Sequence, residues 1–122
     1  MILIDTSVWI RFLSNQAEWA DLLDQLLLAG DVTGHELVYA ELLIGDSGGR
    51  AKLLASYEKL HQSRTVPHKE VLGFVRSRKL YGRGMGWIDV HLLASAIVEG
   101  HKLWTADVRL AALATELKIA WR

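Results

Sequence analysis

Four acidic residues end or interrupt hydrophobic stretches of the sequence. Asp5 ends the apolar run MILI, and Glu41 lies inside YAELLIG. Asp89 lies inside WIDVHLLASA, and Asp107 follows KLWTA. The chain contains no cysteine, so a metal ion could be held only by oxygen or imidazole ligands. Because carboxylates are ligands of hard cations, the four acids are candidates for a divalent metal site.

The segments around these acids have the patterns of short strands that alternate with helices. The clearest helix is 17–30, where apolar residues recur at helical spacing and Gly30 stands at the end. The patterns predict strands at 2–5, 31–33, 65–66, 102–105 and 118–121, helices at 7–13, 17–30, 35–45, 48–63, 68–82, 87–100 and 106–117, and a glycine-rich loop at 82–86. This alternation is typical of parallel βα units, so the predicted fold class is α/β.

A parallel sheet would explain why acids follow strands. In open parallel sheets, ligands bind outside the carboxyl ends of the strands. Asp5 occupies such an end, and Asp107 lies just after the strand predicted at 102–105. If these two strands are neighbours, the two carboxylates meet at one edge of the sheet.

The composition indicates one folded domain, residues 1–122. Hydrophobic residues make up 51% of the 122, and no repeat, linker or shift of composition divides the chain. Lys plus Arg and Asp plus Glu are equal at 14 each, so the net charge gives no general attraction to nucleic acid or membranes. No uncharged run approaches the roughly 20 residues of a membrane helix, and the first apolar stretch is too short for a secretory signal. We therefore expect a cytoplasmic protein that does not bind membranes.

Each acid also has a structural interpretation that needs no metal. Asp5 and Asp107 could cap the helices that follow them, and Asp89 could interact with the dipole at the start of its helix. Glu41 is harder to explain in this way, because no basic residue lies three or four positions from it. The five histidines never occur at the spacing of three or four that pairs metal ligands, and we interpret them as structural or exposed.

Four motifs together resemble the PIN-domain ribonucleases, especially the VapC toxins of bacterial and archaeal toxin–antitoxin pairs. The motifs are LIDTSVWI, ELLIG, GWIDVHLLASA and LWTADVRLAALA, in the order and at the spacing of the family. The resemblance spans the whole chain. It implies a three-layer α/β/α fold with a central, mainly parallel sheet of four to five short strands. It also implies a metal-dependent endoribonuclease that hydrolyses RNA phosphodiester bonds.

The same resemblance implies roles for particular residues, a cofactor and partners. The catalytic acids that hold Mg²⁺ or Mn²⁺ would be Asp5, Glu41, Asp89 and Asp107. The hydroxyl residues that support the site would be Thr6, Ser7 and Thr105. The implied partners are an RNA substrate, a VapB-type antitoxin whose tail presents an Arg to the pocket, and a second copy of the chain in a homodimer.

Electrostatics supports a cation among these acids independently of the resemblance. Two like charges 4 Å apart repel by about 4 kcal/mol at an effective dielectric near 20, so four carboxylates without a cation would raise their own pKa values. A divalent cation relieves this repulsion. Mg²⁺ accepts few carboxylates and keeps several waters, and water is the nucleophile that phosphodiester hydrolysis requires.

The densest basic stretch of the sequence, RSRKLYGRGMG, leads into the loop before Asp89. Its four cations are Arg76, Arg78, Lys79 and Arg83. They are either a solvated helix face or, because they are expected to approach the acids, contacts for an RNA backbone.

The sequence alone leaves two other functions open. A phosphoacceptor receiver domain has this length and an acid at a strand end, but it needs a paired acid beside the first and a late Lys, and the stretch DTS offers no pair. A noncatalytic module that kept the PIN fold and binds RNA or protein would be expected to lose some of the four acids, and all four are present.

Overall fold

The computed structural model describes all 122 residues. Four short strands and seven helices follow one another along the chain. They are β1 (Ile2–Ile4), α1 (Thr6–Leu13), α2 (Ala17–Leu28), β2 (Val32–Gly34), α3 (Glu36–Ile44), α4 (Ala51–Glu58), β3 (His61–Gln62), α5 (His68–Ser77), α6 (Trp87–Glu99), β4 (Lys102–Trp104) and α7 (Val108–Glu116). None of these helices combines the length and the apolar character needed to cross a membrane.

The four strands form one parallel sheet in the order β3-β2-β1-β4. Ile4 at the end of β1 is in register with Trp104 at the end of β4. The residues that follow, Asp5 and Thr105, therefore leave the sheet at the same edge. The prediction that these two strands are neighbours is confirmed.

Helices cover both faces of the sheet, which gives the three-layer α/β/α architecture and confirms the predicted fold class. α1 contacts α2 and α3, α3 contacts α4, and α5 contacts α6, which packs on β4. Leu3, Ile4, Leu103 and Trp104 are buried in the core between these layers. Because burial of one such side chain contributes about 1.5–3 kcal/mol, β1 and β4 are a firm support for the residues at their carboxyl ends.

Two of the predicted strands differ from the structure. The strand next to β2 is His61–Gln62 and not 65–66, because Thr33 holds this segment through a 2.9 Å hydrogen bond to His61 Nδ1. Val66 instead packs in a small apolar cluster, and Pro67 stands at the start of α5. The predicted strand at 118–121 pairs only at Ala120, which forms an isolated bridge to Leu103.

Two predicted helices are shorter than expected. α5 ends at Ser77 and not at residue 82, because Lys79 has a positive φ of 54° that a continuing helix does not allow. α4 covers Ala51–Glu58 and not 48–63, since two glycines with positive φ precede it and the chain after it enters β3. Neither difference moves any of the four acids.

Candidate active site

Asp5 is held at the end of β1 by two hydroxyl groups. Its Oδ2 accepts hydrogen bonds from Ser7 Oγ at 2.7 Å and from Thr105 Oγ1 at 2.8 Å. The hydroxyls in turn accept backbone N–H groups, Ser7 from Ala106 and Thr105 from Asp107, each at 3.0 Å. Both hydroxyl protons are therefore directed at the carboxylate, and β1 and the loop after β4 are joined through it. Only 6% of Asp5 is exposed.

Glu41 is fixed by the residue next to Asp5. Thr6 Oγ1 donates a 2.7 Å hydrogen bond to Glu41 Oε1 across 35 residues of sequence. Thr6 begins α1 and Glu41 lies in the second half of α3, and these two helices contact each other. The contact between the helices brings Glu41 toward the end of β1.

Asp89 lies in the first turn of α6. Its Oδ2 accepts a 2.9 Å hydrogen bond from the backbone N–H of Gly86, the residue before the helix. Burial raises the pKa of the Asp89 carboxyl, the Gly86 N–H lowers it, and the negative charges of Asp5 and Asp107 raise it further. Asp89 is therefore the acid on which the charges of Asp5 and Asp107 act.

Asp107 stands directly before α7. Its Oδ1 accepts a 3.0 Å hydrogen bond from the N–H of Leu110, which is the geometry of a helix N-cap. One oxygen of Asp107 therefore caps α7, as the interpretation without a metal predicted. Asp89 also has a structural contact, because it accepts the N–H of the residue before its helix. Asp5 precedes α1 but makes no capping hydrogen bond, so capping does not explain its position.

Each of the four acids keeps one carboxylate oxygen that receives no hydrogen bond within the chain. The four free oxygens are Asp5 Oδ1, Glu41 Oε2, Asp89 Oδ1 and Asp107 Oδ2. The single ion pair of the chain joins Arg83 to Glu116, so none of the four acids has a basic partner. A carboxylate that is removed from water and has no cation beside it is costly unless hydrogen bonds replace the water, and in the buried Asp5 these reach only Oδ2.

The chemistry of these donors fits a hard divalent cation. All four are oxygens, which Mg²⁺ and Mn²⁺ prefer. No group of three or more acidic or histidine side chains is placed so that it could hold one ion by direct ligation. Direct ligation by all four acids therefore does not describe this arrangement, whereas one or two carboxylate ligands with water in the remaining positions is the usual coordination of Mg²⁺.

Two cations of the basic stretch, Arg78 and Arg83, contact groups away from the four acids. Arg78 lines a cavity together with His101 and Lys102, at the amino end of β4. Asp5 lies at the opposite, carboxyl end of the strands. Arg83 forms a bidentate ion pair with Glu116 at the far end of α7 from Asp107. Its two hydrogen bonds are 2.8 and 2.7 Å long. Arg76 and Lys79 are exposed.

One contributor to the site was not identified from the sequence. Gly86 supplies the backbone donor that orients Asp89. The sequence did contain a pattern that indicates this contact, because Gly86 precedes a predicted helix and Asp89 follows three positions later, which is the spacing of a capping box. A glycine cannot provide the other half of that box, and its role therefore rests on its backbone alone.

The fold and the site belong to a known class of proteins. The model of the PIN domain family matches residues 2–116 of the chain. The chain therefore belongs to the PIN domain family, which confirms the resemblance inferred from the four motifs. Membership of this family also rules out the receiver-domain alternative.

Two similar proteins identify the branch of the family. The chain is 45% identical to Ribonuclease VapC32 of Mycobacterium tuberculosis strain CDC 1551 / Oshkosh, over an alignment of 122 residues that covers 98% of this chain and 95% of that protein. The identity and coverage are the same for Ribonuclease VapC32 of strain ATCC 25618 / H37Rv. The similarity extends over essentially the whole of both chains.

Proposed function

We propose that the protein is a metal-dependent endoribonuclease that hydrolyses RNA phosphodiester bonds, acting in the cytoplasm as the toxin of a VapBC-type toxin–antitoxin pair. The observation that carries this proposal is the group of four acids at one edge of the sheet, each with a free carboxylate oxygen and none with a basic partner. The similarity to a ribonuclease over the whole chain supports RNA as the substrate.

The residues that would hold Mg²⁺ or Mn²⁺ are Asp5, Glu41, Asp89 and Asp107, some of them directly and some through water. When bound, such a cation supplies a Lewis acid for the phosphodiester and lowers the pKa of water. Asp89 in particular has a carboxyl whose pKa is raised by burial and by neighbouring charge. A cation beside it would offset that cost, so binding energy is available at this position.

The hydroxyl residues fix the acids before any substrate arrives. Ser7 and Thr105 hold Asp5 Oδ2, so that Oδ1 keeps one orientation. Thr6 does the same for Glu41 through Oε1. A site whose polar groups are already oriented loses little free energy to reorganisation during the reaction. These three residues therefore position the acids and do not carry the chemistry.

The RNA backbone is proposed to contact the basic stretch outside the acidic site. Arg76, Arg78 and Lys79 are exposed and form no ion pair, so their charges are available to phosphates. Arg83 would first have to leave Glu116. An RNA that reaches both the acids and Arg78 must extend from the carboxyl ends of the strands to their amino ends.

The direct experiment is cleavage of a labelled single-stranded RNA by the protein purified free of its antitoxin. We expect cleavage with Mg²⁺ or Mn²⁺ and none in EDTA, with activity restored by adding the metal back. Cleavage that persists in EDTA would overturn the metal-dependent mechanism. A protein that binds the RNA but never cuts it would instead support the noncatalytic alternative.

Two partners are part of the proposal. A VapB-type antitoxin would present an Arg to the four acids, because a guanidinium pairs well with carboxylates that have free oxygens. A homodimer would cover apolar surface such as Ile44 and Val108, which are among the most exposed large hydrophobic side chains of the molecule.

Coexpression with the small open reading frame next to the gene tests the first partner, and light scattering on the purified protein tests the second. We expect the two proteins to copurify in a complex that does not cut RNA. A monomer that binds no coexpressed protein would contradict both assignments.

A further inference from the structure

A small apolar groove lies beside Asp89. It is formed by α5, the glycine-rich loop 82–86 and the first turn of α6, and has a volume of about 230 Å³. Among its lining residues, Tyr81 is 64% exposed and Trp87 is 41% exposed. Large aromatic side chains left in solvent on a folded domain often mark a binding surface.

The groove borders the acidic site at Gly86. Gly86 lines the groove and donates the hydrogen bond that orients Asp89. Trp87 is two residues before Asp89 and therefore leaves α6 about 200° around the helix from it, so the groove reaches the acid around the start of the helix, at Gly86. A phosphodiester bound at the acids, which the proposed function requires, would therefore place one of its flanking nucleotides next to this groove.

The ring of Trp87 is held in place by two imidazoles. His68 lies 4.8 Å from it between ring centroids, and His91 lies 4.6 Å from it at nearly a right angle. His91 is buried, one turn further along α6. A fixed and partly exposed indole is a ready surface for stacking, because little side-chain entropy remains to be lost when a flat group binds.

The size of the groove favours a single flat group over a protein segment. Its volume lies below the roughly 300–1,000 Å³ of pockets that hold drug-sized ligands, and a stable protein interface needs about 1,000 Å² or more. Gly84 has a φ of +77°, a conformation that favours glycine, and the guanidinium end of Arg109 lies against it. Unpaired RNA bases are recognised by stacking on aromatic side chains.

We propose that this groove is a subsite for one unpaired RNA base next to the cleaved bond, with Trp87 as its stacking platform and Tyr81 at its rim. The assignment rests on the proposed ribonuclease function and adds to it a position where the substrate is read. Stacking accepts any base, so the subsite favours single-stranded over paired RNA without choosing among the bases.

The test measures RNA affinity and cleavage in parallel. Binding of a short fluorescent single-stranded RNA is measured in the Asp5→Asn background with Mg²⁺, so that the RNA stays intact. We expect Trp87→Leu to weaken binding by about tenfold, within the range known for loss of one base–aromatic stack, and Trp87→Phe to restore most of it. Tyr81→Leu should weaken binding less. Leu28→Ala, an exposed apolar residue on α2 outside the groove, is the matched control.

A second set of RNAs identifies the base. In each RNA, one nucleotide near the cleaved bond is replaced by an abasic ribose. One abasic position should weaken binding to the Trp87 protein about as much as Trp87→Leu does, and the two changes together should cost no more than either alone. Additive losses at every position would mean that Trp87 and the base do not meet, which overturns the proposal.

Cleavage by the otherwise unmodified protein separates this proposal from the proposed function. With Asp5 intact, Trp87→Leu should raise KM and leave kcat little changed. If the wild-type protein cuts RNA but Trp87→Leu has the affinity and KM of wild type, the subsite is wrong and the ribonuclease stands. If Trp87→Leu leaves RNA binding intact and loses only the antitoxin, the groove binds protein. If the wild-type protein never cuts RNA, the proposed function itself fails.

Discussion

Thr105 at the end of β4 donates a 2.8 Å hydrogen bond to Asp5 at the end of β1, across a sequence separation of 100 residues. The same Thr105 hydroxyl accepts the N–H of Asp107 at 3.0 Å. One side chain thus fixes an acid of the first motif and the backbone of an acid of the last. This link and the pairing of β1 with β4 bring Asp5 and Asp107 to the same end of the sheet.

Replacing Thr105 should weaken the site without removing it. Thr105→Val keeps the shape but leaves the Asp107 N–H without its acceptor and Asp5 with one donor. We expect a loss of about 1–3 kcal/mol in the free energy of unfolding and partial loss of cleavage, since Ser7 still holds Asp5. Thr105→Ser should retain both properties. Urea unfolding and initial cleavage rates measure them, and full activity in Thr105→Val would show that the link has no catalytic value.

Neutralising an acid should spare the metal-free fold. Asp89→Asn removes a charge that burial and two neighbouring carboxylates disfavour, so the stability of the metal-free protein should stay level or rise. The same holds for Asp5→Asn, whose amide oxygen can still accept from Ser7 and Thr105. Thermal unfolding in EDTA measures the effect. A large drop in the unfolding temperature of both variants would mean that these acids are structural.

The pH dependence of stability should contain a contribution from His35. Its Nδ1 accepts the N–H of Leu37, so Nε2 carries the proton and faces Ser95 Oγ at 3.0 Å. Burial first, and then the charge of His91, lower the pKa of His35 from 6.5 to about 4, against a raising effect of Glu36. The unfolded chain therefore takes up the proton first as the pH falls. Stability should fall by up to about 3 kcal/mol between pH 6.5 and pH 4.

Asn at position 35 is the control for this titration. His35→Asn should be less stable at neutral pH, because it leaves a cavity and loses the bond to Ser95, but its stability should fall less steeply over the same pH range. Urea unfolding at several pH values measures both slopes. Equal slopes in the two proteins would exclude His35 as the source.

The basic stretch should affect RNA binding more than chemistry. Replacing Arg76, Arg78 and Lys79 together by Ala should raise KM and lower the slope of log affinity against log salt by about 0.7 for each phosphate that these residues neutralise. A double Lys52→Ala, Lys59→Ala variant, with both changes in or next to α4, shows how much the loss of two positive charges elsewhere changes binding. Unchanged affinity and slope in the triple variant would mean that these residues are a solvated surface.

The candidate acids could be selected from the sequence because each is a charged residue inside or next to an apolar segment. The alternation of strands and helices indicated the parallel sheet, and the acids were visible as charged residues inside apolar segments. The pairing of β1 with β4 followed only conditionally, because strand order depends on contacts between residues about 100 apart.

What the sequence concealed depends on tertiary contacts and on backbone angles. The strand at His61–Gln62 is polar and exposed, and it exists because Thr33 bonds to it. The surroundings of Arg78 could not be predicted, because the helix before it ends early, ahead of Lys79 with its positive φ. The pairing of Arg83 with Glu116 joins residues 33 apart on two separate elements, and no local pattern reveals it.

The central claim is that the four acids form one divalent-cation site that is responsible for RNA cleavage, and a titration read in two ways tests it most directly. Mg²⁺ or Mn²⁺ is added to the metal-free protein while the unfolding temperature and the RNA cleavage rate are both followed. Because a ligand that binds the folded state stabilises it, both quantities should rise over the same range of metal concentration. In Asp5→Asn and Asp89→Asn both should be lost together. Cleavage in EDTA, or cleavage retained by either variant, would contradict the account.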